Sequence, residues 1–241
     1  MVNRFLMENE YMKLDKNKAT PLRMIIMVLL AFGFNCITYY GTRLITSGFH
    51  HYNMSIKLDY IIPLVPWTVI IYLGCYIYWI ANYALGAIQA EEEAAAFLCA
   101  DLCAKIVCFI LFVAFPTTIV RPEIADTGLM NKAMLFLYSI DTPDNLFPSI
   151  HCLTSWFCVI AVRKQKAVPG WYKVLSVIIA LAICISTLTT KQHVIVDTFA
   201  GIALAELAYL FVKKSGILGP YKRLVAAIES FIISICKWRK Q

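Results

Sequence analysis

Long apolar runs alternate with short polar stretches along almost the whole chain, and they predict helical spans at about 22–45, 59–85, 95–120, 149–162, 171–190 and 194–213. Most are as long as a helix must be to cross roughly 30 Å of hydrocarbon at 1.5 Å per residue. The fourth is the shortest. Prolines at 116, 122, 143, 148 and 169 punctuate the connections around it, because a residue without a backbone N–H cannot continue a helix. The expectation is an all-α polytopic membrane protein. Six transmembrane helices form one bundle over 22–213, between an N-terminal segment 1–21 and a basic amphipathic tail 214–241. No internal repeat or low-complexity tract breaks this pattern.

Composition agrees. Of 241 residues, 60% are hydrophobic and 15% charged, against roughly 45–50% and 25% in soluble proteins. A soluble globular enzyme and a disordered chain are both excluded. The first apolar run starts near Leu22 behind a mixed-charge segment and is too long for the core of a cleavable signal. Nine cysteines, nearly all in apolar runs and with no CxxC pair, read as small buried hydrophobes.

The net charge of +7 changes the picture through its placement. Most Lys and Arg fall in three places: Arg4, Lys13, Lys16, Lys18 and Arg23; Arg163, Lys164, Lys166 and Lys173; and the tail from Lys213 to Lys240. By the positive-inside rule both termini are cytoplasmic, and the connections 121–148 and 190–194 face outward. Cations between spans do not make the basic face of a nucleic-acid binder. In the tail, Leu224, Ile228, Phe231, Ile232 and Ile235 recur at helical spacing, which suits either a helix on the anionic leaflet or one packed on the bundle.

Polar chemistry gathers at the outward ends of the third to sixth spans. His193 and Asp197 are four apart, so on a helix the carboxylate accepts the imidazole Nδ1 proton and leaves Nε2 as a nucleophile or base. Alone, the pair reads equally well as a structural interface histidine. Pro148, Ser149 and His151 stand where a helix begins, and the orphan amides of such a turn attract phosphate. Alone, this is ordinary capping. Brought together with Arg121 and Lys191, these residues form a pocket for a phosphate on a lipid, in which Arg121, Ser149 and Lys191 bind the phosphate.

The order Arg121-Pro122, then Pro148-Ser149-x-His151, then Ser186-x6-His193-x3-Asp197 resembles the type 2 phosphatidic acid phosphatase superfamily. The runs Asn145–His151 and Thr189–His193, with Asp197 and Gly201, are most similar to its inositol phosphorylceramide synthase-like branch and bacterial relatives. The resemblance covers roughly 95–213. It departs from the family pattern at Ala114, where a lysine is usual, at Thr187, where an arginine is usual, and at Ile150, where a glycine is usual.

The resemblance implies a multi-pass cell-membrane enzyme with its active site on the extracytoplasmic side, a lipid phosphate as substrate, and neither a metal nor another cofactor. His193, oriented by Asp197, attacks phosphorus to form a phosphohistidine, and His151 protonates the departing oxygen. With water as acceptor the protein is a lipid phosphatase acting on a phosphate or diphosphate monoester. With a lipid or polyol hydroxyl as acceptor it is a phosphotransferase. The departures at 114 and 187 suit a non-catalytic relative, and charges inside the membrane suit a transporter.

Asp101, Lys105 and Glu206 lie within spans. Helix rise puts Lys105 and Glu206 at similar depth, which predicts an ion pair between them, with Asp101 as the i,i+4 alternative for Lys105. Glu91–Glu93 read as a solvated helix start. Trp67, Trp79, Trp156 and Trp171 read as an interfacial aromatic belt.

Overall fold

The computed structural model describes residues 19–238. Arg4, Lys13, Lys16, Lys18, Arg239 and Lys240, and nearly all of the segment 1–21, lie outside the described residues. The first helix, α1 (Pro21–Cys36), starts with proline at its first position. The Thr20 hydroxyl accepts the Arg23 amide at 3.2 Å. Both features are favoured at a helix start, where the first amides have no helical acceptor. A π-helical turn, Ile37–Gly41, joins α1 to α2 (Thr42–Thr46), so one apolar rod runs from Pro21 to Thr46.

The predicted second span is broken in two. A short helix, α3 (Lys57–Ile61), stops before Pro63 and Pro66, and α4 (Val69–Ala87) begins after a 3-10 turn, Pro66–Thr68. The third span also shifts. Helix α5 (Glu91–Ala114) ends before Phe115, which leaves the helical region, as a following proline requires. Residues 117–118 then form β2 (Thr117–Thr118), which pairs in parallel with β1 (Tyr52–Asn53). Helix α6 (Gly128–Ile140) lies in the connection the apolar pattern left without an element. The rest is α7 (Ile150–Arg163), α8 (Gly170–Thr189), α9 (Ile195–Ser215) and α10 (Leu218–Trp238).

The chain is thus an all-α polytopic membrane protein. Five stretches, Pro21–Thr46, Pro66–Ala87, Glu91–Ala114, Gly170–Thr189 and Ile195–Ser215, are long and apolar enough to cross a membrane. Helix α7, the predicted fourth span, has only 14 residues, which reach about 21 Å. It is the centre of the bundle, buried almost all round by α4, α5, α8 and α9. Its irregular leader is enclosed by protein: the Leu146 and Phe147 amides each donate to Thr117 Oγ1 at 2.9 Å. Non-helical backbone at membrane depth is tolerated only in such an enclosure. At Gly201, α9 presses on the start of α7 so closely that a Cβ would stand 2.5 Å from the Ser149 carbonyl oxygen.

The intramembrane charges correct one expectation. Lys105 and Glu206 do not pair. Lys105 Nζ donates to Asp101 Oδ2 at 2.8 Å inside the bundle, while Glu206 accepts from Arg163 Nη2 at 3.0 Å and Trp156 Nε1 at 2.7 Å. Equal depth does not fix which way a side chain faces. Lys105 turns toward Phe32 and Tyr83, on α1 and α4, and Glu206 turns toward the last turn of α7. Nor are Glu91–Glu93 merely solvated at the start of α5: they pair with Arg23 at 3.1 Å, Lys222 at 2.6 Å and Lys213 at 2.9 Å. Trp79 is buried, donating to Ser155 Oγ at 2.9 Å, whereas Trp67 and Trp171 are exposed. The tail helix α10 packs Tyr221 and Val225 inward and leaves Leu224, Phe231 and Ile235 exposed.

Candidate active site

His193 lies in the turn between α8 and α9. The Gln192 and His193 amides both donate to the Thr187 carbonyl, at 2.9 and 3.1 Å, and Lys191 takes a left-handed conformation with φ of 54°. That turn carries the Lys191 side chain away from the histidines: its Nζ donates to the Asp59 and Ile62 carbonyls at 2.9 and 2.5 Å. The predicted phosphate contact by Lys191 is therefore not formed, because its ammonium is spent on pinning the α3 segment. Asp59 completes that clamp, accepting the Ile56 amide at 2.7 Å and the Ile195 amide at 2.8 Å.

Asp197, in the first turn of α9, accepts the Val194 amide at 3.1 Å with the same oxygen that meets His193 Nδ1 at 3.3 Å. The carboxylate is fixed by the helix start and in turn fixes the imidazole. Burial disfavours the His193 imidazolium, but the hydrogen bond and charge of Asp197 outweigh it and hold the group above its ordinary value of 6.5. Ser149 caps α7: its Oγ accepts the Cys152 amide at 3.3 Å, and its amide donates to the Asp197 carbonyl at 3.1 Å. The Ser149 hydroxyl proton is left to donate.

His151, one residue into α7, faces His193 with ring centroids 5.8 Å apart. Behind it stands a group the sequence did not reveal. The Tyr72 hydroxyl donates to Asp141 Oδ2 at 2.5 Å, so its oxygen is free to accept from His151 Nδ1 at 3.3 Å. The Tyr39 hydroxyl donates to the other Asp141 oxygen. Burial would raise the Asp141 carboxyl, but His151 and the two hydroxyls overcome it and hold the group below its ordinary value. Residues 39, 72 and 141 come from three separate segments, so no spacing could have announced this cluster.

Arg121 lies on the same side. It donates to the Asp141 carbonyl at 2.7 Å and to Gln192 Oε1, with its guanidinium 4.5 Å from the Tyr138 ring centroid. Burial lowers its pKa from the ordinary value. Two buried donors here, Arg121 Nε and Gln192 Nε2, have no hydrogen-bond partner among the described residues. Buried donors without acceptors are costly, and a phosphoryl oxygen would satisfy them. Gln192 stood in the sequence motif without a role; its position between Arg121 and His193 supplies one.

A cavity of about 340 Å³ opens beside His151, His193 and Gln192, at the lower end of roughly 300–1,000 Å³ for ligand pockets. Its lining includes Tyr40, on the π turn, and Tyr76, on α4, both of them exposed. The structure therefore brings together His193, His151, Asp197 and Ser149, with Arg121 joined through Gln192, and leaves Lys191 apart. Thr187, at the position of the usual arginine, is buried and donates to the Cys184 carbonyl at 2.7 Å. Ala114, at the position of the usual lysine, is the last residue of α5. Among the described residues no three His, Cys, Asp or Glu side chains converge as metal ligands.

A family model described as the PAP2 superfamily matches residues 62–211. No curated protein and no solved structure matches the chain.

Proposed function

Starting from the PAP2 superfamily, to which this chain belongs, we propose that the protein is an integral membrane lipid phosphatase that hydrolyses a lipid phosphate or diphosphate monoester through a phosphohistidine. Membership supports phosphatase-type activity in general, and the geometry supports the finer reading. The observation that carries it is the pair of unpartnered donors, Arg121 Nε and Gln192 Nε2, next to two histidines whose Nδ1 atoms are already engaged.

In this mechanism the His193 Nε2 lone pair forms the N–P bond while the P–O bond to the lipid breaks. The departing oxygen takes the Nε2 proton of His151 in its imidazolium form, and the Nδ1–H stays on Tyr72. A water then gives its proton to His151 as its oxygen attacks phosphorus, the N–P bond breaks, and phosphate leaves with His193 neutral again. Asp197 stabilises His193 as it gains positive charge. Arg121, Gln192, the Ser149 hydroxyl and the first-turn amides of α7 receive the charge on the phosphoryl oxygens. None of these steps calls on a metal. Arg163, Lys164, Lys166 and Lys173 lie at the other end of α7 and α8 from the histidines, which supports an extracytoplasmic site in a multi-pass cell-membrane protein. The exposed Tyr40 and Tyr76 in the cavity lining support a substrate delivered from the bilayer.

The test is inorganic phosphate release from detergent-solubilised phosphatidate by the purified protein and by His193→Ala, with and without chelator. Release that persists with chelator and vanishes in the variant is expected. Absence of release from either protein overturns the phosphatase reading, and transfer to added diacylglycerol or polyol would then make the protein a phosphotransferase.

A further inference from the structure

Nothing in the apolar pattern demands a helix at 128–140, yet α6 forms there, in the connection at the histidine end of the bundle. The side chain of Thr127, which precedes it, makes no capping bond. A helix of 13 residues without such a cap is marginal in water, so its stability comes from what it packs on.

Each residue of a helix advances by about 100°, and on α6 this sorts the side chains into three faces. Met130, Met134, Leu137 and Tyr138 turn to the bundle, where Met134 and Leu137 are buried with Val69 and Tyr72 of α4. On the opposite side Lys132 and Ser139 are exposed. Between these two faces Leu129, Phe136 and Ile140 fall within about 40° of one another, and they are exposed by 75%, 57% and 50%. Large apolar side chains gathered on one exposed stripe are costly in water and mark a surface that something apolar covers. The neighbours of α6 say what covers it. The helix packs on the turn Pro66–Thr68 and on α4, which expose Trp67 and Ile70. Together that turn and α4 are long and apolar enough to cross a membrane, and an exposed Trp at the end of such a span suits the membrane interface.

The same helix carries one wall of the site. Leu137 and Ile140 line the cavity. The Tyr138 hydroxyl donates to the Thr190 carbonyl at 3.0 Å, and the Tyr138 ring centroid lies 4.5 Å from the Arg121 guanidinium. Asp141, the residue after α6, accepts the Tyr72 hydroxyl that stands behind His151 and takes Arg121 on its carbonyl at 2.7 Å. A shift of α6 on the bundle therefore moves both Arg121 and the carboxylate behind His151. We propose that α6 lies in the surface of the leaflet at the histidine end, with Leu129, Phe136 and Ile140 seated in lipid, and that this seat holds Arg121 and Asp141 in their working positions. The seat stands on the three faces alone; its effect on catalysis rests on the lipid-phosphatase reading above.

Nitroxide labels test the seat directly. Each is placed on a cysteine introduced at 129, 132, 136, 139 or 140, in a full-length chain whose exposed Cys36 and Cys236 are replaced by serine, and the protein is held in phosphatidylcholine vesicles. Oxygen, which concentrates in hydrocarbon, is expected to relax the labels at 129, 136 and 140 more than a water-soluble nickel chelate does, and the order is expected to reverse at 132 and 139. Equal accessibility at all five positions overturns the seat. Shielding of 129 and 136 from both reagents also overturns it, because a second copy or another protein would then cover the stripe. Phosphate release from phosphatidate in the same vesicles tests the coupling. The double variant Leu129→Gln with Phe136→Gln is expected to lose about tenfold in kcat per folded molecule with KM little changed, whereas Leu129→Met with Phe136→Leu, which keeps the stripe apolar, retains the wild-type kcat. A wild-type kcat in the glutamine variant overturns the coupling. If the wild type releases no phosphate, the phosphatase reading fails, and the label pattern by itself upholds or overturns the seat.

Discussion

The two ends of the bundle carry similar chemistry to opposite effect. At the basic end four cations meet carboxylates: Arg23 with Glu91 and Glu229, Lys213 with Glu93, Lys222 with Glu92, Arg163 with Glu206. These pairs tie α1, α5, α7, α9 and α10 to one another. At the histidine end, Arg121 spends its guanidinium on a carbonyl and an amide oxygen, and keeps one donor without a partner. Charges that neutralise one another hold helices together. Donors left incomplete beside a cavity, as Gln192 Nε2 is in its lining and Arg121 Nε is next to Gln192, are what a ligand completes.

The largest break in this contrast is expected inside the His193–Asp197 pair. Asp197→Asn keeps the shape but removes the charge that favours the attacking tautomer, and should lower kcat about 10³-fold. Its pH profile adds a sign. Neutral His193 is the nucleophile, so kcat/KM in wild type falls as pH drops through a value held above 6.5. In Asp197→Asn the main influence opposing burial is gone, and the acidic limb moves to lower pH. Stability follows the same linkage. A raised histidine stabilises the fold fully below about pH 6.5, and the gain is lost as pH rises through the raised value. The variant should lose this dependence in thermal melts across that window.

Next comes Arg121. Arg121→Lys keeps a positive charge but loses the planar fork that meets Asp141, Gln192 and the open side at once. An expected loss of about 10- to 100-fold in kcat/KM for phosphate release checks whether the unpartnered Nε serves the phosphate. A wild-type rate would make Arg121 a loop clamp like Lys191. Tyr72→Phe is expected to cost less, about tenfold in kcat with KM little changed, because Tyr72 acts through His151 rather than on substrate. Equal loss in Tyr72→Phe and His151→Ala would instead place the hydroxyl on the reacting atoms.

What the sequence could say about these ends follows from how each is encoded. Apolar runs report burial in lipid, so the long helices and their approximate ends were legible. His193 and Asp197, four apart, and Ser149 and His151, two apart, are local patterns that survive folding. The misplaced features are long-range. Depth along α5 and α9 was countable, but the direction Lys105 and Glu206 face was not. The left-handed turn at Lys191 sends away a cation that looked correctly spaced. Asp141 reaches His151 only through Tyr72, across 69 residues from its own position. Helix α7 is short because protein, not lipid, surrounds it, which hydropathy alone does not distinguish.

The smallest effect sharpens the comparison most. Lys213 and Glu93 pair at 2.9 Å with side-chain exposures of 34% and 43%. Solvent and salt screen such a pair, so Lys213→Ala should cost about 0.2–1 kcal/mol of stability, less at high salt. Phosphate release per folded molecule should equal that of wild type, because no part of the pair faces the cavity. A tenfold loss of activity, measured at matched folded fraction, would mean that the basic end is coupled to the histidines through α9. The division into a tied end and a receptive end would then fail, even though every contact at the histidine end stayed in place.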